Sequence, residues 1–164
     1  GALQNPYAQG HAWFVGNIRT VNSAQEEFDQ LCQLDVAREA LVDQSKFTLS
    51  NLTPGNQGTI TLESYQPNYL RYQSNNNAAG FAVFSEIYYP KGWQATIDGQ
   101  QVEIKRANYL LRALEVPAGQ HTIEFRFAPR VYYVGNTIML WASIATILLV
   151  FGVVFMEAKA AKQA

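Results

Sequence analysis

Hydrophobic and polar residues alternate along most of this chain with a period of two, and then the alternation stops. From Gly58 onward Ile60 and Leu62 interleave with Thr59, Thr61 and Glu63, the pattern of a half-buried strand, because successive side chains of a strand point to opposite faces. After Pro67 and Asn68 a second strand is expected over Tyr69 to Ser74, with the Asn75–Gly80 run as a turn. Phe81 to Tyr89 is apolar on both faces and predicts a central strand, ended by Pro90, Lys91 and Gly92. Trp93–Ile97, Asp98-Gly99 and Gln100–Ile104 form the strongest hairpin signal, since Asp-Gly accepts the positive φ values of a type I′ turn. A second hairpin is expected from Tyr109–Val116 and Gln120–Phe127 around Pro117, Ala118 and Gly119, with His121, Ile123, Phe125 and Phe127 on one face.

The first third is mixed. His11 to Val21 reads as a strand with a bend or bulge at Gly16-Asn17. Asn22 or Ser23 can cap a helix, with Glu26 as the capping-box partner, and Ala24, Phe28, Leu31, Cys32 and Leu34 supply an apolar stripe ending near Leu34. Glu39 to Asp43 is a short strand. Strands of this length with regular turn signals predict a mainly β fold: an antiparallel β-sandwich of jelly-roll or immunoglobulin-like kind, with one short N-terminal helix.

The alternation ends near the C-terminus. Ile138 to Met156 contains no charged residue, and its 19 residues span about 28 Å as a helix, close to the roughly 30 Å hydrocarbon core of a bilayer. Ser143 and Thr146, the polar side chains within it, can bond back to carbonyls one turn earlier. Tyr132, Tyr133 and Trp141 lie at or near one end, and Lys159 and Lys162 follow the other. The expected organisation is a sandwich over 1–130, a transmembrane helix over 131–158 and a short cytoplasmic tail over 159–164. Ala128-Pro129-Arg130 is the linker. By the positive-inside tendency the lysines face the cytoplasm, which leaves the sandwich on the extracytoplasmic side of a bacterial inner membrane.

Composition narrows the function classes. A net charge of −1 without a basic stripe argues against nucleic acid as a partner. The single cysteine, Cys32, excludes an intramolecular disulfide and is expected as a small buried hydrophobe in the helix. No His, Cys and Asp cluster has metal spacing, no phosphate-cradling glycine loop is present, and no cofactor is implied. His11 and His121 read as satisfied strand histidines rather than general bases. Asn51-Leu52-Thr53 fits a glycosylation triplet that is common by chance. No catalytic residue can be named. What remains is a constellation at strand ends and turns: Tyr88, Tyr89, Trp93, Arg106, Asn108, Tyr109 and Arg112. Aromatic faces stack on the C–H faces of sugars, and planar Arg or Asn groups pair with hydroxyls. The same rings could instead plug the end of the core. As a ligand groove the candidates are Tyr89, Trp93, Arg106, Asn108, Tyr109 and Arg112.

The run from Phe84 to Gly99 (FSEIYYPKGWQATIDG), followed by Arg106–Ala113 (RANYLLRA) and Val116–Phe127 (VPAGQHTIEFRF), resembles the C-terminal region of YfhO-family bacterial membrane proteins. Asn5–Val15 (NPYAQGHAWFV) and Gly135–Ile138 (GNTI) are similar to Bacteroidetes-type members, with His11 in place of an expected Asn. The resemblance implies a large polytopic parent akin to multi-spanning glycosyltransferases that use lipid-linked sugars and modify cell-envelope glycans. In such enzymes the catalytic carboxylate lies in membrane loops outside this chain. The chain, which begins without Met and without a signal peptide, is then expected to be the end of a longer polypeptide. It would be a non-catalytic domain for scaffolding or acceptor-glycan binding, with the bilayer, the rest of the parent and a glycan as partners. A different class stays open: a tail-anchored envelope interaction or adhesion module with no enzymatic parent. A free-standing soluble hydrolase has neither motif nor anchor in its favour.

Overall fold

A computed structural model describes residues 8–50 and 58–161. Asn51-Leu52-Thr53, Lys162 and the start of the NPYAQGHAWFV run lie outside the described residues. The chain divides into two units, one ending at Ala128 and the other beginning at Pro129.

Among the described residues the first unit is built on three sheets. β1 (Ala12–Val15), β6 (Gly80–Ile87), β10 (Leu111–Val116) and β9 (Lys105–Ala107) form a four-stranded antiparallel sheet in the order β1-β6-β10-β9. β4 (Gly58–Gln66), β5 (Tyr69–Asn76), β11 (Gly119–Phe127), β7 (Trp93–Ile97) and β8 (Gln100–Val102) form a five-stranded antiparallel sheet in that order. β2 (Asn17–Val21) and β3 (Glu39–Asp43) pair in parallel, joined by the crossover through α1 (Ala24–Gln30). A parallel pair needs such a crossover, and the sequence reading did not foresee it.

The main core lies between the two large sheets. Phe14, Phe84 and Leu114 of the four-stranded sheet meet Tyr72, Ile123 and Phe125 of the five-stranded one. Tyr72, Phe84 and Phe125 make edge-to-face contacts, with centroids 4.9–6.0 Å apart. The other face of the four-stranded sheet is covered too: Val15, Phe81, Val83 and Ala113 pack with Ala40, Val42 and Phe47. This is why Phe81 to Phe84 is apolar at every position. β6 sits centrally within its sheet and between two layers. Gly58 allows β4 to close over the core, since a Cβ there would stand 2.7 Å from the Phe14 ring and 2.8 Å from the Asn76 Cβ.

Two expectations need correction. β10 and β11 do not form a hairpin; Pro117 and Ala118 carry the chain from one sheet to the other. The burial of each strand explains it. Arg112, Ala113 and Leu114 are all buried and need the doubly covered sheet, whereas β11 alternates and suits a sheet with one wet face. The β7–β8 hairpin does form, with Asp98 at φ 51° and Gly99 at φ 81°. The second correction concerns α1. Ser23 caps it by accepting from the Glu26 N–H, and Glu26 in turn accepts from the Asn22 N–H. But the helix ends at Gln30, followed by a 3₁₀ turn over Leu31–Gln33, and Cys32 and Phe28 are exposed. The fully buried residue of this seven-residue helix is Glu27.

The second unit contains α2 (Arg130–Ala161). Its Arg130–Val153 span of 24 residues is long and apolar enough to cross a membrane, at about 36 Å for an ideal helix. Ser143 and Thr146 donate to the carbonyls of Met139 and Ala142, at 2.8 and 2.9 Å, so neither hydroxyl is left unpaired.

Candidate functional site

The six groove candidates separate into two groups. Tyr89 and Trp93 line a cleft of about 240 Å³, together with Tyr88, Pro90, Gln94, Gln101 and Glu103. The cleft forms at the connection from the end of β6 at Ile87 to the start of β7 at Trp93, against the β7–β8 hairpin. Trp93 pairs in register with Phe127, their rings 5.4 Å apart, and Tyr89 approaches Phe127 at 6.5 Å. Arg112 lies beneath. Its guanidinium is 4.0 Å from the Trp93 ring centroid and 5.4 Å from that of Phe125, and its Nε donates to the Ile87 carbonyl at 2.9 Å. Burial pulls this guanidinium below its ordinary pKa, and the aromatic faces provide the contact that a carboxylate would otherwise make. Trp93 is half-buried between Arg112 and Phe127, while Tyr89 stands at 49% exposure beside it. Aromatic rings flanked by amides and a carboxylate can stack on a sugar face and bond its hydroxyls.

Arg106, Asn108 and Tyr109 belong elsewhere, in the β9–β10 turn. Asn108 is buried and clamps this turn to β3: its side-chain oxygen accepts from the Leu41 N–H at 2.9 Å, and its own N–H donates to the Leu41 carbonyl at 2.9 Å. Arg106 donates to the Glu27 carboxylate at 2.6 Å and lies 3.8 Å from Asp43. Glu27 also accepts from the Tyr109 N–H at 2.7 Å. That bond supports a turn in which Asn108 and Tyr109 both have positive φ, 52° and 67°, unfavourable for a bulky residue. The single groove expected of all six residues is thus two places. The cleft keeps Tyr89 and Trp93, with Arg112 under the Trp ring, while Arg106 and Asn108 are engaged in holding α1, β3 and the turn together.

Sequence reasoning missed Glu27. The capping pattern drew attention to its neighbour Glu26, and no local signal marks a glutamate whose partner, Arg106, is 79 residues away. It also missed the Gln94, Gln101 and Glu103 side of the cleft, which is assembled by the β7–β8 hairpin. A second hollow, of about 300 Å³, lies on the outer face of the five-stranded sheet, among Thr59, Thr61, Gln73, Asn75 and Gln120. His121 pairs with Asp98 at 2.6 Å and approaches the Ala118 carbonyl at 3.0 Å, which ties the β7–β8 turn to the start of β11. Among the described residues no group of three or more His, Cys, Asp or Glu is placed to hold a metal ion.

The chain thus joins a β-sandwich unit to a helix that is long and apolar enough to span a bilayer. Its family follows from the sequence of those same strands. Residues 39–139 match the family described as bacterial membrane protein YfhO, a stretch that covers more than half of the chain and includes every residue of the cleft, and the chain belongs to that family. No curated protein and no solved structure matches it.

Proposed function

We propose that this chain is the extracytoplasmic C-terminal domain of a YfhO-like membrane glycosyltransferase, non-catalytic itself, which docks an acceptor glycan of the cell envelope. The observation that carries the reading is the Tyr89–Trp93 cleft: an exposed ring, a second ring fixed by Arg112, and amide and carboxylate side chains within one small concavity. The family membership supports a membrane setting, and the lipid-linked-sugar chemistry of the parent rests on resemblance. Lys159 beyond the apolar span is offset by Arg126 and Arg130 before it, so the outside placement of the sandwich rests on the resemblance.

A small open cleft with two stacking rings fits weak binding, roughly millimolar to tens of micromolar, because few contacts remain after ordering costs. The test is titration of the chain in detergent micelles with neutral and acidic envelope glycans, repeated on Tyr89→Ala. Tyr89 is the better choice than Trp93, since removing a half-buried ring would also unsettle the fold. The expected result is saturable binding that Tyr89→Ala abolishes, with the melting temperature unchanged. Absence of binding, or binding indifferent to Tyr89, would leave a scaffolding role and remove the docking site.

A further inference from the structure

The end of the sandwich where β6 finishes and the β9–β10 turn lies carries a group of large apolar side chains that stand exposed among the described residues. Ile87 is 61% exposed, Phe28 54%, Leu110 49% and Tyr109 40%. They are neighbours. Leu111 faces Ile87 across the β10–β6 ladder, the Tyr88 N–H donates to the Leu110 carbonyl at 2.7 Å, and Phe28 meets Tyr109 edge-to-face at 5.3 Å. Large apolar side chains exposed close together on a folded domain suit an interaction site. The positive-φ turn, the Asn108 clamp and the Glu27 carboxylate hold Tyr109 and Leu110 outward rather than letting them fold onto the core.

The chain's own course identifies the occupant. β11 runs from Gly119 at the far end to Phe127 at this end, where Phe127 pairs with Trp93 and the Ala128 N–H donates to the Gly92 carbonyl at 2.7 Å. Only Pro129 separates that anchored residue from the start of α2 at Arg130. Two residue steps reach about 7 Å at full extension, whatever angle the helix takes. The end bearing the apolar group is therefore also the end tethered to an apolar, membrane-length helix. Such a tether makes contact with the bilayer surface intramolecular, so even a weak interfacial preference per side chain is effective.

We propose that Phe28, Ile87, Tyr109 and Leu110 form a lipid-contacting foot that seats in the headgroup region of the bilayer. The inference stands on exposure and connectivity and does not depend on the glycan reading.

The test uses the full chain reconstituted in phosphatidylcholine and phosphatidylglycerol vesicles, with Cys32→Ser as background. An environment-sensitive fluorophore is attached in turn at Ile87→Cys, Leu110→Cys and, at the opposite end of the sandwich, Ala118→Cys. Emission is read with and without lipids carrying a nitroxide at the headgroup or on the acyl chain. The expected result is blue-shifted emission at 87 and 110, with quenching by headgroup nitroxide several-fold stronger than at 118. Emission at 87 and 110 matching that at 118 would overturn the proposal. So would a blue shift without nitroxide quenching, because the foot would then be covered by protein, a second copy of this chain included.

Discussion

Glu27 shows how one residue can organise a domain without announcing itself. Its carboxylate is fully buried and satisfied by the Arg106 guanidinium and the Tyr109 N–H. Removing one partner of a buried pair leaves the other charge uncompensated and typically costs about 3–5 kcal/mol. Glu27→Ala should lower the unfolding free energy of residues 1–128 by about that amount in denaturant titrations. Glu27→Ala and Arg106→Ala together should cost less than the sum of the two single changes. A loss below about 1 kcal/mol, or simple additivity, would mean that the pair is not coupled in solution. At this scale the sequence was least legible. Of the expected apolar stripe, Phe28 and Cys32 prove exposed while Ala24, Leu31 and Leu34 are partly buried, because α1 has only seven residues and uses a carboxylate, not a hydrophobe, as its fully buried contact.

Elements were more legible, for physical reasons that differ from strand to strand. The Asp98-Gly99 turn and the unbroken apolar run of β6 each carry a local signal, the first in backbone conformation and the second in two-sided burial. Which strands pair is a non-local matter. Nothing near Pro117 distinguishes a hairpin from a crossing between sheets; the distinction lies in whether both faces of β10 find cover. The His121–Asp98 link between the β7–β8 turn and β11 is likewise visible only after folding. Both partners of the ring are acceptors, the Asp98 carboxylate and the Ala118 carbonyl, so the doubly protonated imidazolium satisfies both. The hydrogen bond to Asp98 raises the His121 pKa above its ordinary 6.5, and the bond to His121 lowers that of Asp98 below 3.8. The histidine's contribution is thus complete below about pH 6.5 and fades as pH rises through its elevated native value. The aspartate's is complete above about pH 4 and fades as pH falls through its depressed one. The turn should be firmest between roughly pH 4 and 6.5. An NMR titration should find His121 titrating above 6.5, with the Thr122 amide, bonded to Asp98 at 2.8 Å, losing exchange protection over the same range. Titration at or below 6.5 would contradict the link.

For the whole molecule, the functional reading depends on which side of the membrane the sandwich occupies. The candidate site was partly legible, since Tyr89 and Trp93 were selected on aromatic character and turn position and they do line one cleft. The glycan reading requires that cleft to open outside the cytoplasm. The exposed native thiol of Cys32 reports on this without any change to the sandwich. Intact cells with a permeabilised outer membrane are treated with a membrane-impermeant maleimide, and the labelling of Cys32 is compared with that of Ala161→Cys in a Cys32→Ser background. The account predicts that Cys32 reacts in intact cells and that position 161 reacts only after lysis; labelling of position 161 in intact cells with Cys32 protected would contradict it.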